Sequence, residues 1–347
     1  MTLLAIHPHW IRIGYSGQFS LDTFLATIKK GLLASLQARK KACLLQISQL
    51  KIGDFPISDR YQMGKSIADL QLNLGASVLL AVVGNEPYLD PDRFGEMVAL
   101  NRGARGKTFI DRIEAERWLS QQLGLSEVLP DWALEIQPNG WHGQIGDIQL
   151  GCVQTWPELP DLPQFAVKQV HGRKVVQVAG APDVPLQEAD GLWTDQKDQV
   201  LVIKTADCLP VHLWNGQKIA MVHAGWRGAK AGILQRALKS FEDAKSVHAV
   251  IGPAIQACHY EVDSDLYQAW LLEDPSLNDY LKPAQGSKRM LDLPGYARHF
   301  LIGLGIPVEN VQLIPVCTHC EAQMQSYRRD GAAADRQKNF IVRRSKI

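Results

Sequence analysis

The stretch Thr205-Ala-Asp-Cys-Leu-Pro-Val-His-Leu-Trp-Asn-Gly-Gln-Lys-Ile-Ala-Met-Val-His-Ala-Gly-Trp-Arg-Gly228 reads as a β-hairpin that runs into a helix. Asn215-Gly216 suits a type I′ two-residue turn, in which both central positions need φ > 0. With that turn Trp214 pairs with Gln217, and Cys208 falls directly across from His223, their Cβ atoms about 4.5–5.5 Å apart. A thiolate facing an imidazole offers two ligands to a tetrahedral metal, or a nucleophile and its base. Pro210 removes a ladder donor, so this strand is expected at an edge or at a bulge.

The 347 residues suffice for two domains, each with its own core. Hydrophobic residues make up 46% and charged residues 21%, as in ordinary soluble globular proteins. The net charge of +1 and the lack of any basic block beyond Arg343-Arg344-Ser-Lys346 argue against a nucleic-acid partner. No apolar run reaches the roughly 18–20 residues of a membrane span, and the first ten residues lack the pattern of a signal peptide. Cys43, Cys152, Cys208, Cys258, Cys317 and Cys320 are too scattered for a disulfide framework. A cytoplasmic location with reduced thiols is the expectation.

Residues 1–122 alternate strand and helix signals, which predicts a small α/β domain. Leu21, Phe24, Leu25, Ile28, Leu32 and Leu36 share one helical face. Ala42–Ser48 and Ala76–Val83 suit buried strands, Asp59–Leu72 and Pro91–Asn101 suit helices, and Lys107–Ile110 suits a last strand before a helix capped by Asp111. This order resembles the STAS domains of the SpoIIAA-like type over roughly residues 10–121. The resemblance implies binding of a protein or small ligand rather than chemistry. Residues 123–163, rich in proline and glycine, predict an irregular connection with a hairpin inside it. Residues 164–347 form the remaining domain.

Three segments of that domain carry chemistry. Val167-Lys-Gln-Val-His171-Gly172 ends a strand at a histidine, Thr205-Ala-Asp-Cys208 follows the apolar strand Val200–Ile203, and His223-Ala-Gly-Trp-Arg-Gly228 ends a third strand. A lone histidine at a strand end is usually structural. Three strand ends bearing His171, Cys208 and His223 make a His2Cys set, which leaves one tetrahedral position open as catalytic zinc requires.

Lys168-Gln-Val-His-Gly172, Ala189-Asp-Gly191, Thr205–Val211, His223–Gly228, Ile251-Gly-Pro-Ala-Ile255, Cys258 with Tyr260-Glu-Val262, Cys317-Thr318 and Ser326-Tyr-Arg-Arg-Asp330 occur in this order. Together they resemble the YfiH family, also described as multicopper polyphenol oxidase-like or peptidoglycan-editing-factor proteins, over roughly residues 164–342. The resemblance implies stacked sheets flanked by helices, a mixed α/β/β/α sandwich. It also implies purine nucleoside phosphorylase activity with a capacity for adenosine deamination, and purine nucleoside and phosphate as substrates. Its zinc ligands match His171, Cys208 and His223. Its motif arginine matches Arg227, which with the start of the next helix would seat phosphate. Its motif cysteine matches Cys258, and its late arginine pair Arg328 and Arg329. Asp207 is expected beside the metal as a proton carrier or as a turn cap, and Asp190 as a turn residue that contacts substrate. His212 is expected to pack beside Trp214 rather than ligate.

The family's opening arginine- and glycine-containing segment has no counterpart between Gly146 and Val167. Gln325 stands where an aromatic is usual, and Asp335-Arg336 where glycine-arginine is usual. Other readings remain open on the residues alone. Cys208 and His223 could form a metal-free hydrolase dyad acting on cell-wall precursors. Copper could replace zinc in a polyphenol oxidase, although the donor set suits zinc better. His259-Tyr-Glu261 with Pro315-Val-Cys-Thr-His-Cys320 approximates the signature of zinc deaminases, one residue too long. Cys317 and Cys320 look like half of a zinc site without a second cysteine pair to complete it. The chain could also be an inactive binding or signalling protein.

Overall fold

Short apolar runs alternating with amphipathic ones build the first of two units, Met1–Gln137 and Pro138–Ile347. The computed structural model describes residues 4–51, 56–74, 78–84, 89, 92–125, 134–137, 140–153, 162–182 and 186–345. In the first unit the order is β1 (Leu4–Ile6), β2 (Trp10–Gln18), α1 (Leu21–Gln37), β3 (Ala42–Lys51), α2 (Ile57–Asn73), β4 (Leu79–Val83), α3 (Phe94–Leu100), β5 (Gly106–Phe109), α4 (Arg112–Leu123) and β6 (Leu134–Gln137). β2, β3, β4 and β5 are parallel neighbours, and β1 pairs antiparallel with both β2 and β6. Phe24, Ile28 and Leu32 bury the predicted face of α1, and Asp111 caps α4 by accepting from Glu114 N–H at 2.9 Å.

The second unit opens with the hairpin of β7 (Gly140–Ile145) and β8 (Ile148–Val153), followed by β9 (Gln164–Phe165), β10 (Val175–Gln177), β11 (Gly191–Thr194), β12 (Val200–Thr205), β13 (Leu209–Trp214) and β14 (Ile219–Ala224). Next come α5 (Trp226–Lys230), α6 (Ile233–Leu238), β15 (His248–Ile251), β16 (Glu261–Val262), α7 (Ser264–Leu271), β17 (Leu281–Pro283), β18 (Arg289–Leu291), α8 (Leu293–Gly303), β19 (Val311–Leu313), α9 (Tyr327–Asp330) and β20 (Gln337–Arg343). The stretch read as a connection therefore contributes β7 and β8 to this unit, because β8 pairs with β20 over six residues. Residues 126–133, 138–139 and 154–161 of that stretch lie outside the described residues, and the last of these falls within the span searched for the family's opening segment.

Two sheets stack in this unit, one ordered β10-β11-β14-β13-β15-β19 and the other running β7-β8-β20-β12-β9. The two-residue period of the strands sorts side chains between the layers. Leu209, Val211 and Leu213 of β13 and Ala220, Val222 and Ala224 of β14 enter one core with α6 and α8. Pro210, His212, Ile219, Met221 and His223 occupy the opposite face.

The hairpin departs from its predicted register. Pro210, not Cys208, pairs with His223, and Trp214 pairs with Ile219. The turn is held by Asn215 itself, whose Oδ1 accepts from Gln217 and Lys218 N–H at 2.9 and 2.8 Å. Neither Asn215 nor Gly216 adopts the positive φ of a type I′ turn. An Asx turn closed by the side chain outcompetes the primed turn. The slip moves the partner by two residues, an even number, so every side chain keeps its face. Nor is β13 an edge, since it lies between β14 and β15. Pro210 is tolerated at the last rung beside β15, where Gly252 N–H still donates to Pro210 O at 2.9 Å.

His212 packs edge-on against Trp141 at 5.0 Å, while Trp214 stacks on His248 instead. Burial pushes the His212 pKa down to about 4, although Val250 O and Gly151 O face its ring nitrogens and oppose the shift. The folded pKa lies below the unfolded value of ~6.5, so the unfolded chain binds this proton first as pH falls. Stability from this residue is complete above about pH 6.5 and declines toward pH 4, by an amount on the order of 3 kcal/mol. Urea unfolding of His212→Gln at pH 7.5 and pH 4.5 should show a smaller acid loss than the wild type. Equal losses in both proteins would contradict this.

Candidate metal centre and its cleft

Loops at three strand ends bring His171, Cys208 and His223 together, with one ligand atom from each lying within 4.8 Å of the others. His223 sits in β14, Cys208 immediately precedes β13, and His171 lies in the turn before β10. Two of these turns are strained. His171 has φ 60° and Asp207 has φ 83°, a region non-glycine residues seldom enter and which marks a backbone held by its surroundings. The His171 and His223 rings meet edge to face at 4.8 Å. A Cβ on Gly225 would stand 3.1 Å from Cys208 Sγ and 3.3 Å from His171 Cδ2, so glycine keeps the third side of the centre open.

Asp190 organises both histidines from a fully buried position. His223 Nδ1–H donates to its Oδ1 at 2.8 Å, so Nε2 is the ring nitrogen left to bind a metal once it gives up its proton. His171 N–H donates to Oδ1 at 2.8 Å and Gly172 N–H to Oδ2 at 2.7 Å, holding the strained turn. Burial penalises the Asp190 charge, yet these donors outweigh it and hold the carboxyl below its usual range. Burial likewise opposes charge on Cys208 and His223. The two histidines nevertheless lower the Cys208 thiol to about 7, and Asp190 with Cys208 raise His223 to about 9. Between those values the pair rests as thiolate and imidazolium, the state of a ligand set ready to exchange a proton for a cation.

The centre opens into a cleft of about 1550 Å³, part of it solvent, lined by Lys204, Arg227, Arg328 and Arg336 and by one carboxylate, Asp207. No described residue forms an ion pair with Lys204 or Arg227. Asp207 is itself spoken for, since Thr318 Oγ1–H donates to Oδ1 and Arg328 N–H to Oδ2, both at 2.6 Å. Trp226, Tyr260, Tyr327, Ile255 and Leu293 supply apolar and aromatic wall.

The candidate residues thus divide. His171, Cys208, His223, Asp207, Arg227 and Arg328 line the cleft, whereas Asp190 lies behind the histidines and Arg329 and Cys258 do not line it. The Arg329 guanidinium donates instead to the carbonyls of Thr318, His319, Glu321 and Met324. Arg227 stands on the five-residue α5, which is separated from α6 at Gly232 with φ 81°, so its guanidinium rather than a helix dipole supplies the positive charge. Lys204 was not singled out in the sequence, and Tyr260 and Tyr327 stand inside quoted motifs without a role assigned to them. They are common residue types whose shared wall exists only once the loops converge.

The family model described as multi-copper polyphenol oxidoreductase laccase matches residues 152–344, and the chain belongs to this family. Purine nucleoside phosphorylase YfiH of Shigella flexneri is 35% identical over 176 residues, which cover 50% of this chain and 70% of that protein. The protein of the same name from Escherichia coli K12 is 34% identical over the same shares. Among solved structures, Bacillus licheniformis YfiH aligns at 23% identity with a TM-score of 0.54, covering 59% of this chain and 97% of its own. YlmD of Geobacillus stearothermophilus aligns at 23% identity with a TM-score of 0.53, covering 61% and 99%. These likenesses show the fold of the second unit. No described helix is long and apolar enough to cross a membrane.

Proposed function

We propose that the chain is a zinc-dependent purine nucleoside phosphorylase. The observation that carries this reading is a His2Cys centre in a cleft where no described carboxylate pairs with Lys204 or Arg227, together with the activity named for its relatives. Two imidazoles and a low-pKa thiolate fit zinc, with His171, Cys208 and His223 as its ligands. When bound, zinc would supply Lewis-acid charge at its vacant position.

The remaining work falls to the chain's own groups. Arg227 and Lys204 hold the phosphate dianion, and Arg328 and Arg336 extend the positive field. Tyr260, Trp226 and Tyr327 offer flat faces against which a purine ring can lie. Phosphate oxygen bonds to the ribose anomeric carbon as the glycosidic bond breaks; that bond's electron pair leaves with the base, which takes up the proton given up by the hydrogen phosphate, so the products are free purine and ribose 1-phosphate. Holding both reactants in line supplies much of the acceleration. Asp207 acts by position, tying the Cys208 turn to Thr318 and to the Arg328 backbone.

Zinc-loaded protein should release adenine from adenosine, or hypoxanthine from inosine, only when phosphate is present. Arg227→Ala should raise the KM for phosphate by roughly 10–100-fold, the weight of a charge-assisted hydrogen bond. Base release that ignores phosphate, or none from folded zinc-loaded protein, would reject the proposal.

A further inference from the structure

β15 and β19 are parallel neighbours, so the loops leaving their C-terminal ends emerge side by side. The bridge between Ala254 and Cys317 continues that pairing, and Thr318 N–H donates to Ala254 O at 3.2 Å. Residues some 60 positions apart are thereby superposed, and Cys258-His259 meets Cys317-Thr-His-Cys320.

One ligand atom from each of Cys258, His259, Cys317 and Cys320 lies within 4.8 Å of the rest. Cys258 Sγ is 3.6 Å from Cys320 Sγ, and Cys320 Sγ is 3.2 Å from His259 Nδ1. A tetrahedron with Zn–S bonds of about 2.3 Å separates its sulfurs by roughly 3.7 Å, so Cys258 and Cys320 already stand at that spacing. Gln256 N–H points at Cys317 Sγ at 3.5 Å, the backbone support a thiolate ligand receives. Arg329 binds the carbonyls of Thr318, His319 and Glu321, which fixes the second cysteine loop, while its charge pairs with Asp330 at 2.7 Å.

We infer that Cys258, His259, Cys317 and Cys320 form a second, closed site that binds one zinc ion. Four protein ligands leave no vacancy, so the site is structural rather than catalytic. The partner missing from the Cys317–Cys320 pair is supplied by the neighbouring loop. With Cys258 as a fourth ligand this site would differ from the open three-ligand zinc of the deaminase reading of His259 and Glu261, and the Glu261 carboxylate pairs with Lys288 at 2.8 Å. The ion would pin the loops that carry Tyr260 and Thr318, hence one wall of the cleft and the tether of Asp207.

The test uses full-length Cys208→Ala protein, in which the catalytic centre lacks its thiolate, so the result does not depend on the proposed activity. Elemental analysis should find one zinc per chain. Cobalt exchanged into that protein should give intense thiolate-to-metal absorption, reduced by about a third when Cys320→Ser removes one of three thiolates. The exposed Cys258 and Cys320 should resist alkylation until a chelator is added. Wild-type thiol protection measured the same way covers the case in which a variant does not fold. A Cys208→Ala chain without zinc, alkylation indifferent to chelator, or a Cys258–Cys320 disulfide in the purified protein would each overturn the inference.

Discussion

On the proposed function, Cys208→Ala is expected to abolish phosphorolysis and to prevent zinc from binding between His171 and His223. The thiolate is the only anionic ligand of the three, and two neutral imidazoles alone are a poor host for a dication. Loss of two or more orders of magnitude in metal affinity follows, and kcat falls at least as far. Cys208→Ser separates charge from packing: it keeps the shape but offers a neutral hydroxyl, so it should lose metal nearly as badly while folding normally. Turnover retained in a Cys208→Ala chain shown to lack metal at this centre would remove the metal from the chemistry altogether. Turnover lost while that metal stays would instead favour the thiolate as nucleophile.

Asp190→Ala should produce the second-largest effect, through two routes at once. Without the carboxylate, His223 loses the acceptor that fixes its Nδ1–H tautomer, a loss worth roughly 10–100-fold in metal affinity. The N–H groups of His171 and Gly172 are also left without their acceptor in a turn already at positive φ. Stranding these donors costs about 2–5 kcal/mol, so unfolding should move to lower denaturant as well. Asp190→Asn distinguishes the routes, since its amide oxygen can still accept from the turn but without charge. It should recover stability more than metal affinity. Asp190→Ala with unchanged zinc affinity would show that the histidines are oriented by something else.

Much of this centre was legible in the chain itself. The chain placed His171, Cys208 and His223 at strand ends; β14 does carry His223 and β13 does follow Cys208, whereas β9 ends at Phe165, well before His171. The Asn215 side chain, rather than positive φ, closes the hairpin, and the register moved by two. An even shift preserves the side chain's face, so a wrong partner still left Cys208 and His223 on one side. The α1 face and the Asp111 cap were legible for the same reason, because periodicity and capping are local.

Residues whose roles depend on loops meeting could not be read so directly. Asp190 looked like a turn residue, since nothing near Ala189-Asp-Gly191 in sequence shows that it lies behind both histidines. Arg328 and Arg329 are adjacent and chemically identical, yet one lines the cleft and the other is consumed by four carbonyls. Cys317 and Cys320 looked like an incomplete site because their partners lie some 60 residues away, on the loop after a parallel strand. By itself the sequence determined what repeats over a few residues: the α/β class, strand faces and caps, and it offered His171, Cys208 and His223 as candidate ligands that the structure brings together. Only the tertiary structure decided which strand ends converge, which cations face the cleft and which cysteines share a corner. Those outcomes depend on pairings between distant strands, which no local pattern of residues encodes.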